Sequence, residues 1–226
     1  MPGTAVKPEL SPAAVLFDLD GTLVDTAPDF IRCLNQLRRQ QGLDSLPPER
    51  IRPSVSNGAS AMVRIGFGLE PESPGFEDTL KAFLDLYEAG VGEETTLFDG
   101  IDTLLRSLES RSVPWGIVTN KPLRFAAPLL DALGLAERCA AAICPDHVSN
   151  SKPDPEGLFL ACDQIGISPD TAVYIGDHVR DIEAGRKAGM KTIAVRYGYL
   201  EAPEAIDLWQ ADIIADTVSD LAKLLQ

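Results

Sequence analysis

Five short apolar runs, each separated from the next by a segment of helical character, constrain this chain more than any other feature. They are Ala13-Ala14-Val15-Leu16-Phe17, Trp115-Gly116-Ile117-Val118, Ala140-Ala141-Ala142-Ile143, Ala172-Val173-Tyr174-Ile175 and Thr192-Ile193-Ala194-Val195. Runs this short and this nearly continuous in apolar residues read as strands buried on both faces rather than on one. Helical periodicity fills 101–110, 124–133, 156–165 and 181–188, and Gly134, Gly166 and Gly189 stand where helix C-caps belong. The alternation predicts an α/β fold, a doubly wound parallel sheet covered by helices. Sheets of that kind carry their ligands at the C-terminal ends of the strands.

From about residue 29 to 97 the alternation stops and no strand is expected. Helices are read at 29–41, 58–66 and 76–89, punctuated by Pro47-Pro48, Pro71 and Pro74. The expected division is therefore a catalytic core from 1–22 and 97–226, with an all-helical insert over 23–96 covering one end of the sheet. Trp115 is read as core.

Charge narrows the function. The 34 acidic residues outnumber the 20 basic ones for a net charge of −14, which argues against nucleic-acid or anionic-membrane partners, since both need a basic face. A phosphate site on such a chain must supply its own positive charge, and a divalent cation does so. No run approaches the ~18 apolar residues of a membrane span, and the stretch from Met1 to Leu10 has no export-signal pattern. Cys33, Cys139, Cys144 and Cys162 form no CxxC pair. Reduced, mostly buried thiols in a cytoplasmic protein are expected.

Four polar clusters follow predicted strands, and the fold would gather them. They are Asp18-Leu19-Asp20-Gly21-Thr22, Thr119-Asn120-Lys121, Ser151-Lys152-Pro153-Asp154 and Gly176-Asp177-His178-Val179-Arg180-Asp181. Carboxylate oxygens suit Mg2+, which prefers octahedral oxygen coordination. A lysine and a metal together neutralise phosphoryl oxygens, the main demand of phosphoryl transfer. An aspartate nucleophile is ionised at neutral pH and splits one hard step into two.

With these four clusters in order, the chain resembles the haloacid dehalogenase superfamily of phosphotransferases. The segments Thr26-Ala27-Pro28-Asp29-Phe30, WGIVTNKPLRF from Trp115 to Phe125, CPDHVS from Cys144, SKPDPE from Ser151 and Tyr197-Gly198-Tyr199 are similar to the phosphoglycolate phosphatase group. Within it they are most similar to the bacterial N-acetylmuramic acid 6-phosphate phosphatases, which serve cell-wall aminosugar recycling. The resemblance implies a Rossmann-like core with an inserted C1-type helical cap. It implies Asp18 as nucleophile and Asp20 as general acid and base, and it assigns Mg2+ to Asp18, the Asp20 carbonyl and Asp177, with Asp181 nearby or bound through water. Thr119 and the Asn120 amide would hold phosphate, and Lys152 would orient Asp18 and the phosphoryl group. Asp20 argues against the dehalogenase branch.

Substrate contacts are expected from Arg124 and from the loop Ser54-Val55-Ser56-Asn57-Gly58, whose Ser56, Asn57 and Gly58 offer amides and hydroxyls rather than an apolar pocket. An ordinary helix N-cap is the competing reading of that loop. His178 is expected at the site entrance or in solvent, and neither it nor His147 has the neighbours of a zinc site. Arg64 is read as a surface ion-pair residue. The expected partner is a small phosphomonoester, N-acetylmuramic acid 6-phosphate or 2-phosphoglycolate, acted on by a monomer or weak homodimer. The alternatives are a sugar phosphomutase of the β-phosphoglucomutase type and, from another class, a phospho-accepting receiver domain. Receivers lack both the insert and the DxDGT order.

Overall fold

The computed structural model describes residues 10–226; the reading of the first nine residues as lacking an export signal lies outside the described residues. In chain order the elements are β1 (Ala14–Phe17), β2 (Val24–Asp25), α1 (Ala27–Gln40), α2 (Pro48–Ile51), α3 (Gly58–Phe67), α4 (Phe76–Ala89), β3 (Thr96–Leu97), α5 (Ile101–Ser110) and β4 (Trp115–Val118). They continue with α6 (Leu123–Ala132), β5 (Ala141–Ile143), α7 (Glu156–Ile165), β6 (Ala172–Gly176), α8 (Val179–Lys187), β7 (Lys191–Val195), β8 (Ile213–Ala215) and α9 (Val218–Leu224).

Six strands form one parallel sheet in the order β5-β4-β1-β6-β7-β8. All five apolar runs lie in it, and β1, β4 and β6 are buried along their whole length, as expected for strands covered on both faces. The chain leaves β1 for β4 and β5, then returns to the other side of β1 for β6. That reversal opens a crevice at the C-terminal end of β1, where this fold class binds ligands. Trp115 lies in the core, packed with Phe17, Ile117 and Leu129.

Helices α1, α3 and α4 pack on one another around Phe30, Leu34, Met62, Phe83 and Tyr87. Phe125 at the start of α6 and Tyr199 after β7 join the same cluster, so this core reaches into the sheet's side of the molecule. The sequence anticipates α4 at its observed bounds, whereas α1 and α8 each begin two residues earlier than expected. Two corrections apply to the stretch expected to lack strands. Thr96–Leu97 pairs antiparallel with Val24–Asp25 to form a two-stranded ribbon, and a short helix, α2, runs into a 3-10 turn over Arg52–Asn57. Two-residue strands carry no readable alternation.

Both connections into the helical segment are fastened by one buried aspartate. Asp29, on α1, accepts hydrogen bonds from the Gly92 N–H (3.0 Å), the Glu94 N–H (3.1 Å), Thr95 Oγ1 (2.6 Å) and the Arg32 guanidinium (2.9 Å). Removing a fully buried acceptor leaves its donors unpaired, which costs more than the bonds contribute net. Asp29→Ala should therefore lower the unfolding free energy by about 3 kcal/mol, measured by urea denaturation. A loss under about 1 kcal/mol would show that the carboxylate is not the fastening.

Candidate active site

Phe17 on β1 is in register with Ile117 on β4 and Ile175 on β6. Asp18, Thr119 and Asp177 therefore leave the sheet together, within about one residue's rise, ~3.3 Å. The third cluster reaches them from the loop after β5. There the Asn120 amide donates to the Lys152 carbonyl at 3.0 Å, and its oxygen accepts from the Lys152 N–H at 3.1 Å. The Asn120 side chain thus locks two loops together and sets where Lys152 emerges.

Lys152 is buried, and its Nζ donates to Asp18 Oδ1 (2.8 Å), Asp181 Oδ1 (2.7 Å) and the Tyr174 hydroxyl (2.8 Å). The Tyr174 hydroxyl in turn donates a hydrogen bond to the Val118 carbonyl at 2.8 Å. Burial opposes this ammonium's charge, but Asp18 and Asp181 outweigh it and hold the lysine above its ordinary pKa. Asp18, Asp177 and Asp181 each offer an oxygen within 4.8 Å of the others. Burial, and then Asp181, push Asp18 up. Burial, followed by Asp18 and Asp181, pushes Asp177 well above the carboxylate range. One lysine does not balance three buried carboxylates, and oxygen-only donors this close fit a hard cation that would relieve their repulsion. The group could hold a metal ion.

Bare backbone makes room for Asp177. A Cβ on Gly21, at φ +81°, would lie 2.1 Å from Asp177 Oδ2, and one on Gly198 would lie 2.3 Å from Asp177 Cβ. No larger residue fits at either place while the carboxylate stays where it is.

Asp20 turns its carboxylate away from this trio. Its Oδ1 accepts from Thr26 Oγ1 at 2.6 Å and from Lys121 Nζ at 3.0 Å. Lys121 is buried too, bonds the Tyr87 hydroxyl of α4 at 2.7 Å and sits 4.8 Å from that ring's centroid. Burial opposes its charge, but Asp20 and then Tyr87 outweigh burial and raise its pKa. Lys121 was seen in the second cluster but given no role. The cue lay in the only position of that cluster able to carry a positive charge.

The loop preceding α3 meets the sheet rather than capping its own helix. Ser56 Oγ donates to Asp177 Oδ2 at 2.9 Å, and the Ser56 carbonyl accepts from the Arg180 guanidinium. Asn57 Oδ1 lies 3.2 Å from His178 Nε2, and Gly58 takes φ +76°. Asn57 makes no side-chain cap bond to α3. His178, expected at the entrance or in solvent, is the N-cap of α8: its Nδ1 accepts from the Arg180 N–H, and its own N–H donates to Asp181 Oδ2. Burial, then Arg180, lowers its pKa to about 4. His147 caps a 3-10 turn after β5. Arg64 pairs loosely with Glu70 at 3.8 Å, away from the site.

Between the two halves lies a cavity of about 420 Å3. Asp18, Asp20, Thr119, Asn120, Lys121 and Arg180 line its floor, the Ser56–Gly58 loop one side, and Arg124 its rim. Arg124 stays half exposed, 4.0 Å from Glu88. The remaining wall is apolar, with Phe30, Leu80, Phe83, Leu84 and Phe125. That apolar surface comes from α1, α4 and the start of α6, not from the Ser56–Gly58 loop. The sequence motifs thus converge, with Arg124 at the margin.

The comparisons with known proteins agree with this geometry. The sequence profile of the haloacid dehalogenase-like hydrolases matches residues 15–195. The chain is 50% identical over 212 residues to the N-acetylmuramic acid 6-phosphate phosphatase of Pseudomonas aeruginosa, covering 94% of each chain. It is 41% identical over 205 residues to a phosphoglycolate phosphatase of Xanthomonas campestris pv. campestris, covering 91% of this chain and 92% of that one. A solved haloacid dehalogenase-like hydrolase from Streptococcus pneumoniae superposes with a TM-score of 0.77 at 23% identity, covering 92% of this chain and 95% of that one. The parallel sheet, the motifs at its strand ends and the full-length likeness converge: this chain belongs to the haloacid dehalogenase-like hydrolases, and it is a phosphatase of that family.

Proposed function

We propose that the chain is a Mg2+-dependent phosphomonoesterase that works through Asp18 and acts on N-acetylmuramic acid 6-phosphate. The observation that carries the substrate is the cavity, about 420 Å3 with a charged floor and an apolar wall. The two-carbon acid of 2-phosphoglycolate would leave most of that space to water. An N-acetylated, lactyl-bearing sugar would fill it, laying methyl groups on Leu84 and Phe83 and its carboxylate toward Arg180 or Arg124. The helical segment over 23–96 then acts as the cap, and a cytoplasmic monomer or weak homodimer is part of the reading. All four cysteines are free, as that compartment requires.

Asp18 attacks phosphorus in line, and the leaving oxygen departs as the acyl phosphate forms. Lys152 keeps Asp18 pointed at the phosphorus and faces the phosphoryl oxygens with fixed charge; the Thr119 hydroxyl holds one of those oxygens. Asp20 gives its proton to the leaving oxygen, then takes one from the water that cleaves the acyl phosphate. General acid–base help of this kind contributes ~10²–10⁴-fold. Thr26 and Lys121 hold the Asp20 carboxylate between the two halves of the molecule. Mg2+, held by Asp18, Asp177, Asp181 and the Asp20 carbonyl, would supply the remaining positive charge against the transferring group.

Five results test the reading. Asp18→Asn should fold normally and lose turnover, and excess chelator should abolish wild-type phosphate release until Mg2+ is restored. Retention of more than a few per cent of activity in either case would remove the nucleophile or the metal. Lys121→Met should lower kcat by about 10²-fold with a smaller change in KM, because it frees Asp20 rather than the phosphate site; an unchanged kcat would remove it from the mechanism. Leu84→Ala should cost about 10-fold in kcat/KM on the aminosugar phosphate and leave 2-phosphoglycolate unaffected. A metabolite panel led by 2-phosphoglycolate would overturn the substrate.

A further inference from the structure

The two oxygens of Asp177 are unequally employed. Oδ2 accepts from the Ser56 hydroxyl and from the Tyr199 N–H, each at 2.9 Å, whereas Oδ1 has a 3.5 Å contact from Thr22 Oγ1. Such a carboxylate is oriented by its satisfied oxygen and presents the other. Outer partners of this kind fix a metal-binding carboxylate, and losing one typically costs 10–100-fold in metal affinity.

The two partners belong to different parts of the molecule. Tyr199 follows β7 of the sheet, and its N–H arrives with that strand's end. Ser56 sits in the 3-10 turn Arg52–Asn57 between α2 and α3, in the helical segment. The same turn makes two more contacts with the strand-end cluster: Arg180 donates to the Ser56 carbonyl, and Asn57 meets His178. One turn of the helical segment is thus bonded to residues 177, 178 and 180 in succession. The helical segment joins the sheet through the β2–β3 ribbon, so Ser56 approaches Asp177 only when the helices lie over the strand ends.

We infer that Ser56 is a positioning residue for the metal, so that cation affinity depends on the helical segment being docked and docking depends in turn on the cation. The inference rests on the reading of Asp18, Asp177 and Asp181 as metal ligands. With Ser56 withdrawn, Asp177 Oδ2 keeps one donor of two and the carboxylate is free to turn. Linkage then requires the reciprocal effect: whatever tightens the ion by fixing Asp177 is itself held more tightly when the ion is bound.

The test measures binding rather than turnover. Mn2+ is the probe, an oxygen-seeking octahedral ion whose free form can be counted by its paramagnetic signal. Ser56→Ala should weaken Mn2+ binding about 10-fold or more. In the wild-type protein, Mn2+ should slow amide hydrogen exchange across residues 52–62, and in Ser56→Ala that protection should be lost. Ser56→Cys, which keeps the volume but donates weakly, serves as the second variant and should show a loss in the same direction should Ser56→Ala not fold. Mn2+ affinity within about twofold of wild type in a folded variant, or equal protection by the ion, overturns the coupling, because a merely structural serine would change stability and leave both readouts alone. Asp177→Asn separates the two levels. If it binds Mn2+ as tightly as the wild type does, the metal assignment fails and the coupling falls with it. If it loses the ion while Ser56→Ala keeps it, only the coupling is wrong.

Discussion

Three carboxylates buried around one ammonium are the constraint on which the rest of this structure depends. Asp18, Asp177 and Asp181 crowd to within 4.8 Å, and Lys152 bonds two of them. Charges stripped of water are costly unless they are paired and hydrogen-bonded, so each surrounding feature has a reason. Tyr174 and the Val118 carbonyl extend the lysine's network into the sheet, and the Asn120 clamp fixes the loop that delivers the lysine. The bare backbone at Gly21 and Gly198 admits the third carboxylate. The three carboxylates could hold a cation, which would relieve their mutual repulsion.

What could be read from the sequence follows from how local each signal is. β1, β4 and β6 are visible because burial on both faces makes them continuous apolar runs, and a strand's end fixes where its following polar residues point. The convergence of Asp18, Thr119 and Asp177 is therefore written in the order of the chain. The ribbon of β2 and β3, the edge strand β8 and helix α9 escaped because they are short and only partly buried, and such segments show no period. Residue pairings escaped for a different reason. Nothing in the order of the chain says that Lys121 meets Asp20 and Tyr87, or that Ser56 meets Asp177, since each pair is set by how α4 and the turn before α3 lie over the sheet. The apolar wall escaped for the same reason: periodicity finds the inward face of a helix and does not say whether that face meets a neighbour or a cavity.

The helical segment therefore contributes more than a cover. Tyr87 reaches the lysine that holds Asp20, Ser56 reaches Asp177, and the Tyr199 hydroxyl bonds Asp25 at 2.7 Å and the Ala27 N–H at 2.9 Å beside the ribbon. Polar atoms from the helices touch both the Asp20 side and the candidate metal side of the same crevice, so a change in how the helices lie reaches both.

The central strand precedes every other described strand in the chain. Val15 on β1 pairs with Trp115 on one side and Val173 on the other, so the middle of the sheet waits for residues from the far part of the chain. Contacts so distant in sequence slow folding, because the loop between them must be closed before the pairing repays it. On the ribosome, β1 leaves the tunnel with Asp18 at its end and stays unpaired on one edge until β6 has been made. Until then Asp18 remains hydrated, because the residues that bury and crowd it are not yet present. The nascent chain can therefore gather Asp18, Lys152, Asp177 and Asp181 only in one late event, after residue 181 has been made.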